Sequence, residues 1–207
     1  LIGQGHEVVL HARNGARGHT AMQQAPGAVG VLVGDLADLD ATRDVAEQAN
    51  ALGRFDAVIH NAGVYQAPGH ELLLVNTLAP YLLTCLMQRP GRLIYLSSDM
   101  HLQGRGGLEG LTGDLDKDAR RTSYSDSKLY VVMFCMAVAR RWPDVYANAV
   151  DPGWVPTKMG GPGAPDDLEE GYATQVWLAD SEESRAKVSG RYFHHMAERR
   201  AHAQAGD

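Results

Sequence analysis

The 207-residue chain carries 19 basic and 25 acidic residues, a formal charge of −6, and is 44% apolar. This composition suits one layered domain spanning 1–207 rather than a disordered or fibrous chain, and no run of Lys and Arg forms the basic stripe that nucleic acid requires. Cys85 and Cys135 show no CxxC spacing, no metal site is read, and no apolar stretch reaches membrane-spanning length. Leu1 to Val9 lack a signal peptide's charged start, so a cytoplasmic protein with no membrane partner is expected.

In chain order, Glu7 to His11 reads as a strand entered from Gly5, and Ala28 to Val33 as a β-rich run ending at Gly34-Asp35. Ala41 to Leu52 has helical apolar spacing, and Phe55 to Ile59 reads as a strand. His70 to Met87 predicts a helix bent or interrupted at Pro80, followed by a strand over Arg92 to Leu96 and a long helix over Ser123 to Arg141. Val145 to Val150 predicts a strand, Glu169 to Asp180 a helix and Gly190 to His194 a last strand, before a polar tail over about 195–207 expected to fray. Strands alternating with helices predict an α/β fold with a doubly wound, mostly parallel, Rossmann-like sheet, its ligands beyond the carboxyl ends of the strands.

Tyr124 and Lys128 lie four apart on a predicted helix and so project from one face. A free tyrosine has a pKa near ~10, and a cation about 5 Å away at effective dielectric ~20 contributes roughly 3 kcal/mol, about two pKa units downward. Such a tyrosine can exchange a proton with a carbonyl or alcohol oxygen. Ser97-Ser98 follows the strand ending at Leu96, where a hydroxyl can hold a substrate oxygen. Asn61-Ala62-Gly63 and Asp151 to Thr157 follow two other strands on the same predicted edge, where glycine lets backbone approach a flat ligand or simply closes a turn.

Together these segments resemble the short-chain dehydrogenase/reductase family, from about the first residue to Phe193. The resemblance implies that Tyr124 is the general acid/base, that Lys128 lowers its pKa and binds the nicotinamide ribose, and that Ser98 orients the substrate oxygen. It implies that Asn76 completes a tetrad by kinking its helix and holding a water in the proton relay. It places Asn61, Ala62 and Gly63 at the adenine ribose, the side chain of Asp35 at the adenine amine and the backbone of Leu36 against adenine. Pro152, Gly153, Val155 and Thr157 match the segment that holds the nicotinamide carboxamide. The stretch from Arg92 to Leu129 is most similar to the retinol dehydrogenase and WW-domain oxidoreductase branch and to bacterial antibiotic ketoreductases.

NAD enzymes of this family carry an acid at the end of the second strand, which here reads His11-Ala12-Arg13-Asn14. Arg13 offers a planar cationic fork suited to a 2′-phosphate, with Arg17 assisting, so NADP is expected over NAD. The substrate is expected to be a small, hydrophobic ketone, aldehyde or alcohol, shaped by 64–68, 100–123 and Trp154 with 160–165. The apolar face of 123–141 suits either a homodimer or the sheet.

The family's glycine-rich pyrophosphate turn, expected before Leu1, is not found within the 207 residues, and neither 104–107 nor 160–163 replaces it. Amino-terminal truncation is therefore expected, with a central strand lost, two strand edges unpaired and poor coenzyme binding. A non-catalytic module with a regulatory or scaffolding role is the alternative, and a nucleotide-sugar epimerase is disfavoured by the short segment after Tyr192.

Overall fold

The computed structural model describes residues 1–108 and 119–206. Its elements are β1 (Val9–Ala12), α1 (Gly15–Gln24), β2 (Gly30–Val33), α2 (Leu39–Leu52), β3 (Ala57–His60), α3 (Gly69–Leu73) and α4 (Ala79–Leu86). They continue with β4 (Arg92–Leu96), α5 (Tyr124–Arg141), β5 (Tyr146–Asp151), α6 (Leu168–Asp180), β6 (Arg191–His194) and β7 (Ala197–Arg199).

Every strand pair is parallel except the closing hairpin of β6 with β7. The strands fall into two sheets, β1-β2 and β3-β4-β5-β6-β7. One edge of β1 and one of β3 therefore lack a strand partner among the described residues, which is the break that the sequence leads one to expect. Helices hold the two sheets together: Val45 and Ala46 of α2 pack with Ala79 and Leu83 of α4 in one buried cluster. His6 also pairs with Asp180 of α6 at 3.0 Å.

Capping chemistry sets the helix starts. Asp38 and Asp167 accept backbone N–H groups at the starts of α2 and α6, and Ser123 with Asp126 forms a reciprocal capping box on α5. Leu129, Val132 and Cys135 of α5 pack on Leu93 and Tyr95 of β4 and Ala147 and Ala149 of β5. Full burial stabilises each larger apolar side chain there by roughly 1.5–3 kcal/mol. The face of 123–141 that suits a second copy is thus covered in large part by this chain's own sheet.

Three sequence expectations are corrected. The helix over 70–87 is interrupted not at Pro80 but by a π-helical turn over Leu74–Leu78, with Pro80 in the first turn of α4. Proline has no N–H to give and crowds the carbonyl four residues back, so the widened turn just before it absorbs the mismatch. Residues 195–206 are held rather than frayed: β7 pairs with β6, and Ala205, 2% exposed, packs into the α5 cluster. Finally, α1 had no counterpart in the sequence reading. No described helix is long and apolar enough to cross a membrane.

Candidate active site

A cleft of about 1560 Å³ opens at the carboxyl ends of β3, β4 and β5. Its lining includes Ser98 after β4, Tyr124 at the start of α5, and Asn61, Ala62 and Gly63 after β3. Pro152, Gly153, Val155 and Thr157, after β5, close another side. The strands are parallel, so residues that follow each of them arrive at the same edge.

Tyr124 stands half-buried, edge-on to Tyr65 with ring centroids 4.7 Å apart, and lines the cleft together with Ser98. Ser98 Oγ donates to Asp99 Oδ1 at 3.1 Å and accepts from Met100 N at 3.3 Å. Lys128 is 4% exposed; its Nζ donates to Leu96 O at 2.9 Å and lies 5.6 Å from the Tyr124 ring centroid. No carboxylate forms a salt bridge with it among the described residues.

The expected net lowering of the tyrosine pKa by the lysine is outweighed by burial in the free chain. Burial pushes the Tyr124 hydroxyl up to about 12, the nearby Ser98 hydroxyl opposes this, and Asp151 raises it further. Lys128 is itself lowered to about 8 by burial, with Asp151 pulling the other way. Sequence spacing placed the two residues together correctly, but it carried no information on how deeply both are buried.

Asn76 sits in the π turn, 2% exposed, with its amide fully engaged. Oδ1 accepts from Val64 N at 2.8 Å, while Nδ2 donates to Val64 O at 2.9 Å and to Ser127 Oγ at 3.0 Å. Both side-chain protons are committed, so the side chain fixes the loop after β3 against α5 and has no free donor for a water. Gly63 lies where this packing is tightest. A Cβ there would come within 3.3 Å of Asn76 Oδ1 and 3.4 Å of Lys128 Nζ, so a larger residue would crowd the approach to Lys128.

Gly153 has φ of 79°, and a Cβ on it would meet Asp166 Oδ2 at 2.6 Å. Its N–H donates to Asp151 Oδ1 at 2.9 Å, and Trp154 N donates to Asp166 Oδ2 at 2.6 Å, so two carboxylates shape the turn. Thr157 Oγ1 accepts from Gly160 N at 3.2 Å.

Arg13, Asp35 and Leu36 are not among the residues lining this cleft. They follow β1 and β2, in the other sheet, with Arg13 and Asp35 exposed and the Leu36 side chain buried against α2 and α4. One oxygen of Asp35 accepts from Ala37 N at 3.0 Å. Of the segments expected to shape the substrate, Tyr65, Met100, Trp154 and Gly160 line the cleft, whereas 104–107 does not. That loop is fastened to α5 instead, with Arg105 donating to Asp126 through backbone and guanidinium. Residues 109–118 of the expected 100–123 segment lie outside the described residues.

Several cleft residues were given no site role by the sequence, among them Asp151, His194 and Tyr192. Asp151 ends β5 with its carboxyl 7% exposed, raised by burial, and Oδ2 lies 3.3 Å from His194 Nδ1. Its place as the last residue of a strand, on the ligand edge, was the available signal. Nothing comparable marked Tyr192 or His194.

The sequence profile described as short chain dehydrogenase matches residues 1–167. The short-chain dehydrogenase chyC of Penicillium rubens is 39% identical over 204 residues, covering 93% of this chain and 78% of its own. The uncharacterized oxidoreductase AN7799 of Emericella nidulans is 41% identical, covering 99% of this chain and 83% of its own. In fold, the chain resembles the NADPH-bound carbonyl reductase from chicken fatty liver, with a TM-score of 0.67 at 18% identity over 93% of this chain and 86% of that one.

Proposed function

The chain belongs to the short-chain dehydrogenase family of oxidoreductases, and on that premise we propose that it interconverts a carbonyl and an alcohol with NADP, Tyr124 being the general acid/base. The observation that carries this reading is the convergence of Ser98, Tyr124, Lys128 and Asn76 at one cleft, with the Lys128 ammonium buried, 5.6 Å from the Tyr124 ring centroid and in no salt bridge among the described residues.

The residues fit a nicotinamide coenzyme. Lys128 spends one of its three protons on Leu96 O and faces the open space at Gly63, which suits ribose hydroxyls. Pro152, Gly153, Val155 and Thr157 line the cleft where a carboxamide would rest, and Asn61, Ala62 and Gly63 border the adenosine side. Exposed Asp35 and the Leu36 backbone would meet adenine, and exposed Arg13, which has no ion-pair partner among the described residues, would take the 2′-phosphate. When bound, the coenzyme supplies or accepts the hydride.

The chain's own residues manage the proton. Ser98 turns its hydroxyl from Asp99 to the substrate oxygen, and Tyr124 then gives its proton to that oxygen as negative charge develops there. A pKa near 12 makes Tyr124 a firmly protonated donor in the free chain, and the nearby Lys128 ammonium stabilises the tyrosinate left behind. Asn76 holds the loop after β3 in register with α5, so that Gly63 and Lys128 keep their approach.

The test is turnover of a panel of ketones with NADPH, read by nicotinamide absorbance, beside coenzyme binding read by fluorescence. Tyr124→Phe is expected to lose reduction while binding NADPH as before. Undiminished reduction in that variant would remove Tyr124 from the mechanism.

A further inference from the structure

Tyr192 on β6 lines the same cleft, yet it is 4% exposed and its hydroxyl has no hydrogen-bond partner among the described residues. Leaving a buried hydroxyl unpaired costs roughly 1–3 kcal/mol, so an orphan bordering a substrate cleft calls for a ligand atom. Its ring is fixed by His101, with centroids 4.5 Å apart, and His101 is itself held at both nitrogens, by Ser98 O at 2.7 Å and by His202 N at 3.1 Å. A backbone N–H can only donate, so Nε2 of His101 is the acceptor and Nδ1 carries the proton that goes to Ser98 O. The orphan hydroxyl is thereby tied, through one neutral histidine, to the segment that carries Ser98.

Arg199 stands directly across from Tyr192 in the β6-β7 hairpin, so their side chains share a face, and it also lines the cleft. Its neighbour Glu198 is taken by Arg191 at 3.2 Å, whereas Arg199 has no ion pair among the described residues. The cleft's acids, by contrast, already have donors: Asp99 has Ser98 Oγ, Asp151 has Gly153 N, and Asp166 has Trp154 N.

We propose that Tyr192 and Arg199 form a second substrate subsite, one that donates hydrogen bonds to an oxygen other than the reacting carbonyl. This rests on the reading of the cleft as a carbonyl-reducing site and names its substrate class: compounds with two oxygen functions, such as keto esters and diketones, rather than plain hydrocarbon ketones. The acceptor at Tyr192 is uncharged, because Asp151 and Asp99 lie within electrostatic reach of that hydroxyl and oppose an anion there. The same acids, together with burial, hold its pKa well above the usual range, so it stays a donor.

The experiment pairs β-, γ- and δ-keto methyl esters with chain-matched plain ketones, measuring calorimetric binding to the full chain with and without NADPH, and kcat/KM for each compound. Wild type is expected to favour the best keto ester over its matched ketone by roughly fivefold to tenfold, the value of one hydrogen bond. Tyr192→Phe should bring that ratio close to one, and Arg199→Gln should lower it. The variant removes a hydroxyl that bonds nothing in the free chain, so folding is not at stake. A ratio near one in wild type, no binding of any compound, or an unchanged ratio in both variants would overturn the subsite. Ester-selective binding without turnover of any ketone would instead overturn the reductase reading and leave the subsite standing.

Discussion

Replacing Lys128 by methionine is expected to make the protein more stable and catalytically inert. Burial takes the ammonium from its ordinary 10.5 to about 8, which corresponds to a cost of about 3 kcal/mol at pH 7 for keeping the group charged inside the fold. Methionine has similar length and no charge, so this cost disappears. Against it, Leu96 O loses a charge-assisted bond, worth roughly 1.5–3 kcal/mol. The net gain is about 1 kcal/mol, or roughly 2–4 °C in Tm for a chain of this size. The sign with pH follows from linkage. Between about 8 and 10.5 the unfolded chain binds more protons at this site than the folded one, so wild-type stability rises with pH across that window. Below about 8 the cost is present in full, and above 10.5 it is gone, so the variant's advantage shrinks through the window and reverses at its top. Urea melts of both proteins at pH 7 and in the alkaline window measure this directly. A Lys128→Met protein less stable than wild type by more than about 1 kcal/mol at pH 7 would show that the lysine serves the fold, and the argument would fail.

Two other outcomes are expected. Asn76→Ala removes three hydrogen bonds and strands Val64 N and O, so it should destabilise by roughly 2–4 kcal/mol in denaturant melts, with a variant as stable as wild type contradicting its structural role. Arg13→Gln should raise the KM for NADPH by roughly tenfold to a hundredfold while leaving that for NADH nearly unchanged, and equal effects on both would detach Arg13 from the 2′-phosphate.

Much of the architecture was legible because the relevant signals are local. The strand over Arg92 to Leu96 was read to the residue, and Tyr124 and Lys128 were placed on one helix face by spacing alone. Helix α1 was missed because Gly15 to Gln24 carries few apolar residues, Ala16, Ala21 and Met22, beside two glycines; its start rests on Asn14, which accepts from Arg17 N. The ordered residues after His194 were missed because tertiary contacts hold them, above all Ala205 on α5 and the bond from His202 N to His101. At the site, residue identities were readable but electrostatics were not. The raised Tyr124 and the lowered Lys128 are consequences of burial, which emerges only when α5 packs on β4. Tyr192 was invisible for a related reason, since an orphan hydroxyl is defined by what surrounds it.

The central claim is that hydride reaches a carbonyl carbon in this cleft while Tyr124 protonates the oxygen. The most direct measurement uses NADPH carrying deuterium at both hydrogens of nicotinamide C4, with the alcohol product analysed by mass spectrometry for wild type and Tyr124→Phe. One deuterium on the carbinol carbon with wild type, and no labelled alcohol with the variant, is the predicted result. Alcohol formed without the label, or labelled equally well by both proteins, would contradict it.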